Sequence, residues 1–157
     1  MPKTRSKSAA AIEMLKEDHD KVKKAFKEFE KLDREDTETA YQLAKSVCED
    51  LKVHTALEEE IFYPAVREAI DDDDLMNEAA VEHETAKMLI EQIENMPADD
   101  PNFRATFTVL GEYVKHHVEE EEGEMFPAAK KSELDFEDLA ERMRSRKEAL
   151  LGEMAKA

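Results

Sequence analysis

Cysteine, glycine, proline and positive charge are all scarce in this chain, and each shortage closes off a class of protein. The single cysteine, Cys48, cannot close an internal disulfide, form a CxxC redox pair or build a cysteine-based zinc site. On a helix it is expected to be a small apolar core residue. Three glycines and five prolines, in a chain that is 40% charged and rich in Glu, Lys, Ala and Leu, favour long helices over a sheet, so an all-α fold is expected. No apolar run approaches the roughly 18 to 20 residues of a membrane span. The opening MPKTRSKS leads into no signal-peptide core. A cytoplasmic protein with no membrane partner is therefore expected. Cations are outnumbered, 23 Lys and Arg against 40 Asp and Glu for a formal charge of −17, which argues against nucleic acid as a partner because phosphate contacts need clustered Lys and Arg. The basic stretches Lys3 to Lys7 and Arg142 to Lys147 are too short and isolated to reverse that.

What is present is helical periodicity. A chain of 157 residues suits one well-buried core, expected over residues 8–157 behind a flexible N-terminus at 1–7. From about Ser8 to Leu32, Ile12, Leu15, His19, Val22, Phe26 and Phe29 recur at steps of three and four, a single helical face with His19 inside it. Asp36 or Thr37 can cap a second helix whose stripe is Leu43, Val47, Leu51, His54, Glu58, Ile61 and Ala65. Asp71 to Asp74 form a turn and place acids at the start of a third helix, where the macrodipole favours them. That helix carries Met76, Ala79, His83, Ala86, Ile90 and Ile93. The PADDP loop at 97–101 precedes a fourth, with Phe103, Phe107, Leu110, Val114, His117 and Glu121 along one stripe. Pro64 and Pro127, each ten residues after a helical histidine, are expected to bend or end their helices. Leu134 to Met154 is expected as a shorter amphipathic helix, with Leu139, Met143, Leu150 and Met154 covering one end of the four-helix core.

The polar members of those stripes repeat. His19 and His83 are 64 residues apart, while His54 to His117 and Glu58 to Glu121 are each 63 apart, so one set is written twice. An ionised glutamate alone in an apolar core costs several kcal/mol, so Glu58 and Glu121 require strong partners or neutrality. A metal cluster supplies them. Residues i and i+4 stack about 6 Å apart on one helix face, so each His-x-x-x-Glu can present an imidazole and a carboxylate to one point. Divided evenly, two ions receive two imidazoles each with the carboxylates bridging, which leaves open positions for oxygen, peroxide, nitric oxide or a bridging oxide. Four imidazoles and two carboxylates suit two iron ions first, with manganese or zinc as alternatives.

These motifs resemble the hemerythrin-like, HHE cation-binding family over nearly the whole chain: DH at Asp18-His19, HTALEEEIFYP from His54, EH at Glu82-His83 and HVEEEEGEMFP from His117. The resemblance implies an up-down four-helix bundle with an additional short C-terminal helix, and a non-haem di-iron centre held by His19, His54, Glu58, His83, His117 and Glu121. Two departures separate it from the oxygen-carrying members, which have a further histidine where this chain has Lys87 and an aspartate where it has Glu121. The set is similar to that of the iron-centre repair proteins of nitrosative stress, whose additional cysteine-bearing N-terminal domain has no counterpart in these residues, so their repair role is not expected here.

His116 with Glu120 also fits His-x-x-x-Glu, but the repeat and the proline register select His117 and leave His116 on the flank. Glu59, Glu60, Glu119, Glu120 and Glu122 are expected on a solvated face, and Tyr63 and Tyr113 in the core. Three functional classes follow: a di-iron protein that reacts with a small diatomic ligand or peroxide, in oxidative or nitrosative stress or iron homeostasis; an iron or oxygen sensor; or a bundle stabilised by metal. The polar surface permits a monomer, and the C-terminal helix equally permits a homodimer.

Overall fold

The computed structural model describes residues 10–156, so the expected N-terminal segment at 1–7 lies outside the described residues. Among these there is no strand. Helix α1 spans Ala10–Lys31 and α2 spans Thr37–Leu57. A π-helical turn at Glu58–Phe62 leads on into α3, Tyr63–Ala69. Helix α4 spans Asp73–Asn95 and α5 Phe103–Glu120, and a second π turn at Glu121–Met125 leads into α6, Phe126–Lys131. Helix α7 spans Phe136–Lys156.

The helix starts follow local chemistry. Asp36 accepts from the Thr39 N–H at 3.2 Å and Asp72 from the Leu75 N–H at 3.1 Å, each satisfying an N–H that the first helical turn leaves open. Asp135 does the same for Asp138 at 3.0 Å ahead of α7. In the PADDP loop, Pro97 C=O accepts from Asp100 N–H at 3.1 Å, and Asp100 C=O from Phe103 N–H at 3.0 Å.

The prolines do not end their helices, which run on past Pro64 to Ala69 and past Pro127 to Lys131. Proline has no N–H and crowds the preceding turn, and here the strain is absorbed by one widened turn immediately upstream. Tyr63 N–H donates to Glu58 C=O, and Phe126 N–H to Glu121 C=O, each five residues back. The helix therefore runs on through the proline with one extra residue in the turn.

Helix α1 packs on α2 and α5, and α4 packs on the same two, so the four long helices close into a ring. Helix α7 lies outside that ring against α1, α2 and the first π turn. With 21 residues it is as long as α2 and lies within two residues of the expected Leu134 to Met154 at each end, so the expected bounds hold and only its description as short does not. Its Leu139, Met143, Leu150 and Met154 do pack onto a core cluster, with Ile12, Leu15, Leu57, Phe62, Met76 and Phe126. A second cluster comprises Val22, Phe29, Val47, Leu51, Ile90, Ile93, Phe107 and Leu110. On α1, α2 and α4 the inward histidine falls between residues of these two clusters, and His117 on α5 falls between Leu110 of the second and Met125 of the following π turn in the first. Gly111 makes one close approach possible, since a Cβ there would lie 2.9 Å from the Phe26 ring.

Candidate metal centre

All six residues singled out from the repeat meet in one place. His19 comes from α1, His54 from α2, His83 from α4 and His117 from α5, while Glu58 and Glu121 open the two π turns. Glu58 is fully buried, Glu121, His19, His54 and His83 are buried, and His117 is nearly so. The Glu58 oxygens face both halves of the chain: Oε2 lies 3.3 Å from His54 Nε2 and Oε1 3.0 Å from His83 Nε2. Glu121 matches it, with Oε1 3.0 Å from His19 Nε2 and Oε2 3.3 Å from His117 Nε2. The imidazoles form two like pairs, His19 with His54 and His83 with His117, each with ring centroids 4.9 Å apart.

A second set of carboxylates, which the sequence reading placed on a solvated face or noted only as motif neighbours, fixes the rings. His54 Nδ1 donates to Asp18 at 2.9 Å, His83 Nδ1 to Glu59 at 2.8 Å, His117 Nδ1 to Glu82 at 2.7 Å and His19 Nδ1 to Glu122 at 2.7 Å. A carboxylate at Nδ1 holds the proton there and turns the Nε2 lone pair inward. Each acid braces the next helix of the ring: α1 holds α2, the first π turn holds α4, α4 holds α5, and the second π turn holds α1. The duplication carries this signal too, since Asp18-His19 and Glu82-His83 correspond, as do Glu58-Glu59 and Glu121-Glu122. Glu60 lies outside the site and pairs with Arg146 at 2.9 Å.

Tyr63 belongs to the site and not simply to the core. Its hydroxyl is 3.2 Å from His83 Nε2 and 3.0 Å from His117 Nε2, and it donates to Glu121 Oε2. At 3.6 residues per turn Phe62 would follow Glu58 on the inner face. The π turn puts Tyr63 there instead. The corresponding residue of the other half, Phe126, stacks on His19 with centroids 6.0 Å apart, so a hydroxyl distinguishes the two halves. Tyr113, also expected in the core, is exposed and lines a small cavity of about 30 Å³ beside the four inward histidines. Val22, Leu51 and Ile90 of the second cluster line it as well, and neither Tyr63 nor Phe126 does.

His116 stays outside, 64% exposed, 3.3 Å from Glu120 and 3.7 Å from Glu82. Cys48 is fully buried in the core, and burial pushes its thiol up to about 12.

The electrostatics are those of a cation site. Burial opposes a charged His117, yet Glu121 and Glu58 beside it raise it to about 10. His54 is held well above its ordinary value against the same burial by Glu58 and Asp18, and His83 is raised by Glu58 and Glu59. Glu58 is held well below its ordinary value because facing His54 outweighs burial. Burial, with Glu121 and Glu58, keeps the Tyr63 proton on. Both Glu58 oxygens and Glu121 Oε1 are buried without a hydrogen-bond donor, although ring nitrogens stand only 3.0 to 3.3 Å away. An unsatisfied buried acceptor costs about 1 to 3 kcal/mol. A cation at the focus of these lone pairs would satisfy them together, so the residues fit a metal. Two such foci exist: His19, His54, Glu58 and Glu121 converge on one, and Glu58, His83 and His117 on the other.

Comparison with known proteins agrees. A protein of Nostoc sp. described as a DNA nickase is 30% identical over 116 residues, 74% of this chain and 32% of that protein. The chain thus spans about a third of that relative's length. The crystal structure of a hemerythrin HHE cation-binding domain-containing protein from Mycobacterium kansasii matches with a TM-score of 0.75 and 24% identity, over 90% of this chain and 86% of that one. That likeness shows a shared fold. The Hemerythrin HHE cation binding domain matches residues 10–129, and this chain belongs to that family.

Proposed function

We propose that the chain is a non-haem di-iron protein that reacts with a small oxidant such as oxygen, peroxide or nitric oxide. The observation that carries the metal reading is the set of unpartnered carboxylate oxygens on Glu58 and Glu121, buried between four inward imidazoles. His19, His54, Glu58 and Glu121 would hold one ion and His83, His117, Glu58 and Glu121 the other, within an up-down arrangement of the four ring helices. Iron, when bound, supplies redox equivalents and open coordination positions. The protein's part is to orient and exclude. The outer acids keep the four Nε2 lone pairs inward. Tyr63 holds a proton within reach of His83, His117 and Glu121 on one flank. The small cavity toward Val22, Leu51 and Ile90 suits a guest of diatomic or peroxide size.

A role in oxidative or nitrosative stress or in iron homeostasis, in the cytoplasm, is the setting we favour. The nicking activity in the name of the Nostoc relative is not carried over, since a formal charge of −17 opposes a phosphate-binding surface. Metal analysis of protein purified from iron-replete cells should give about two irons per chain, and the visible spectrum should change on adding peroxide or nitric oxide. Fewer than one metal per chain, with no further loss in His54→Ala or Glu121→Ala, removes the site. Two irons whose spectrum ignores both oxidants would favour a bundle merely stabilised by metal, and oxygen-dependent binding of a partner would favour a sensor.

A further inference from the structure

The outer acids are not equivalent. Asp18 and Glu59 each use their second oxygen to accept from a lysine: Lys147 Nζ donates to Asp18 Oδ1 at 3.2 Å, and Lys87 Nζ to Glu59 Oε1 at 2.6 Å. Among the described residues no lysine bonds Glu82 or Glu122, and the second oxygen of Glu82 has only one side-chain nitrogen near it, the exposed His116 Nε2 at 3.7 Å, beyond hydrogen-bond distance. The two histidines held through lysine-bound acids, His54 and His83, come one from each imidazole pair, and they are the two that face the oxygens of Glu58. The result is a continuous row, Lys147, Asp18, His54, Glu58, His83, Glu59, Lys87, symmetric about one buried carboxylate. The companion row through Glu121 ends on acids without lysine, and Glu121 takes its other bond from Tyr63.

We propose, resting on the metal-centre reading above, that Lys87 and Lys147 are positioning residues that hold Glu58 fixed between His54 and His83 and leave Glu121 the carboxylate that can shift. A carboxylate bonded on one oxygen only can swing about its Cβ–Cγ or Cγ–Cδ bond. With a lysine on the other oxygen it is clamped in plane, and the imidazole it holds cannot rotate away from Glu58. Lys147 comes from α7, beyond residues 10–129 that match the family. This gives the outer helix a task at the centre, where Arg146 on Glu60 at 2.9 Å helps seat it. Both lysines are partly exposed, 42% and 37%. Exposed pairs of this kind add little to folding, so their loss should leave the fold intact and register at the metal.

The test is Zn²⁺ uptake by the full chain in competition with a chromophoric chelator, together with imidazole NMR of the zinc-loaded protein. Lys147→Met and Lys87→Met should each weaken zinc about three- to tenfold, somewhat less than the roughly 10- to 100-fold expected on removing a direct partner of a ligand. Lys147→Arg and Lys87→Arg should restore it, and Lys52→Met, which breaks only the pair with Glu94, should change nothing. In Lys147→Met the His54 Nδ1–H should exchange faster with water while that of His117 does not. A lysine acting merely as a nearby positive charge gives the opposite sign, tighter zinc on its removal. Tighter or unchanged zinc in both Met variants overturns the proposal while leaving the metal centre in place. A wild-type chain that takes up no zinc and no iron removes the metal-centre reading itself, and this proposal with it.

Discussion

Metal uptake by this site should be coupled to proton release, and the coupling can be given a size. In the metal-free chain His117 is raised to about 10 from an ordinary 6.5 by Glu121 and Glu58, against the opposing pull of burial. At pH 7 an incoming cation must displace that proton. Three units below its pKa, this costs roughly 4 kcal/mol, or about a thousandfold in apparent affinity. His54 and His83 are raised as well, so more than one proton should leave. Apparent zinc affinity should therefore rise at least about tenfold per pH unit from about pH 7 toward 10. The metal-free fold should run the other way. Raised imidazoles contribute stability that is fully present below 6.5 and is lost as pH rises through about 10 for His117. Glu58, held well below its ordinary 4.5, contributes above that value and loses its contribution on acidification. Thermal melts of the metal-free chain should peak between about pH 4.5 and 6.5 and fall toward pH 10, while the zinc-loaded chain gains over the same alkaline range. Competition titrations at several pH values, with proton release read by an indicator dye, measure the slope. A zinc affinity independent of pH, or uptake at pH 7 with no proton released, would refute the reasoning.

Four further outcomes are expected. Glu58→Ala should abolish tight binding of both metals and, by leaving His54 and His83 without their shared buried partner, destabilise the metal-free chain by about 3 to 5 kcal/mol; denaturant melts read this, and an unchanged midpoint would contradict it. Tyr63→Phe keeps the packing and removes the hydroxyl that distinguishes the halves, so the two zinc-binding steps should draw closer in affinity by calorimetric titration. Gly111→Ala should cost about 1 to 3 kcal/mol, because its methyl must displace the Phe26 ring from 2.9 Å, and an unaltered melting temperature would show that the ring gives way freely. Cys48, fully buried with its thiol pushed up to about 12, should resist aromatic disulfide reagents in the native chain and react only after unfolding.

Much of the centre was legible because duplication separates meaning from composition. In a chain with 40 acids no single glutamate stands out, but Glu58 and Glu121 recur at the same offset from inward histidines, and so does the choice of His117 over His116. The same repeat held the outer acids Asp18, Glu59, Glu82 and Glu122. A helical stripe cannot show them, because each acts across an interface on a ring belonging to another helix. Tyr63 was hidden for a different reason. Its place depends on the π turn that Pro64 accompanies, and a regular period carried through Glu58 assigns that place to Phe62. The bounds of α7 were legible and its role was not, because its apolar stripe is thin, with Leu139 and Met143 buried and most of its later residues exposed. Its contribution is partly charged, through Arg146 and Lys147.

The ring of braces has a consequence for how the two halves of the chain depend on each other. Asp18 steadies His54 within the first half and Glu82 steadies His117 within the second, while Glu59 reaches from the first half to His83 and Glu122 reaches back from the second to His19. Each half thus makes one brace with itself and lends one to the other. A slip of either half against its neighbour along the common axis would break both loans at once, even if every helix stayed folded. That is the exchange a two-fold pair of identical helix pairs would make, and here one continuous chain supplies both partners.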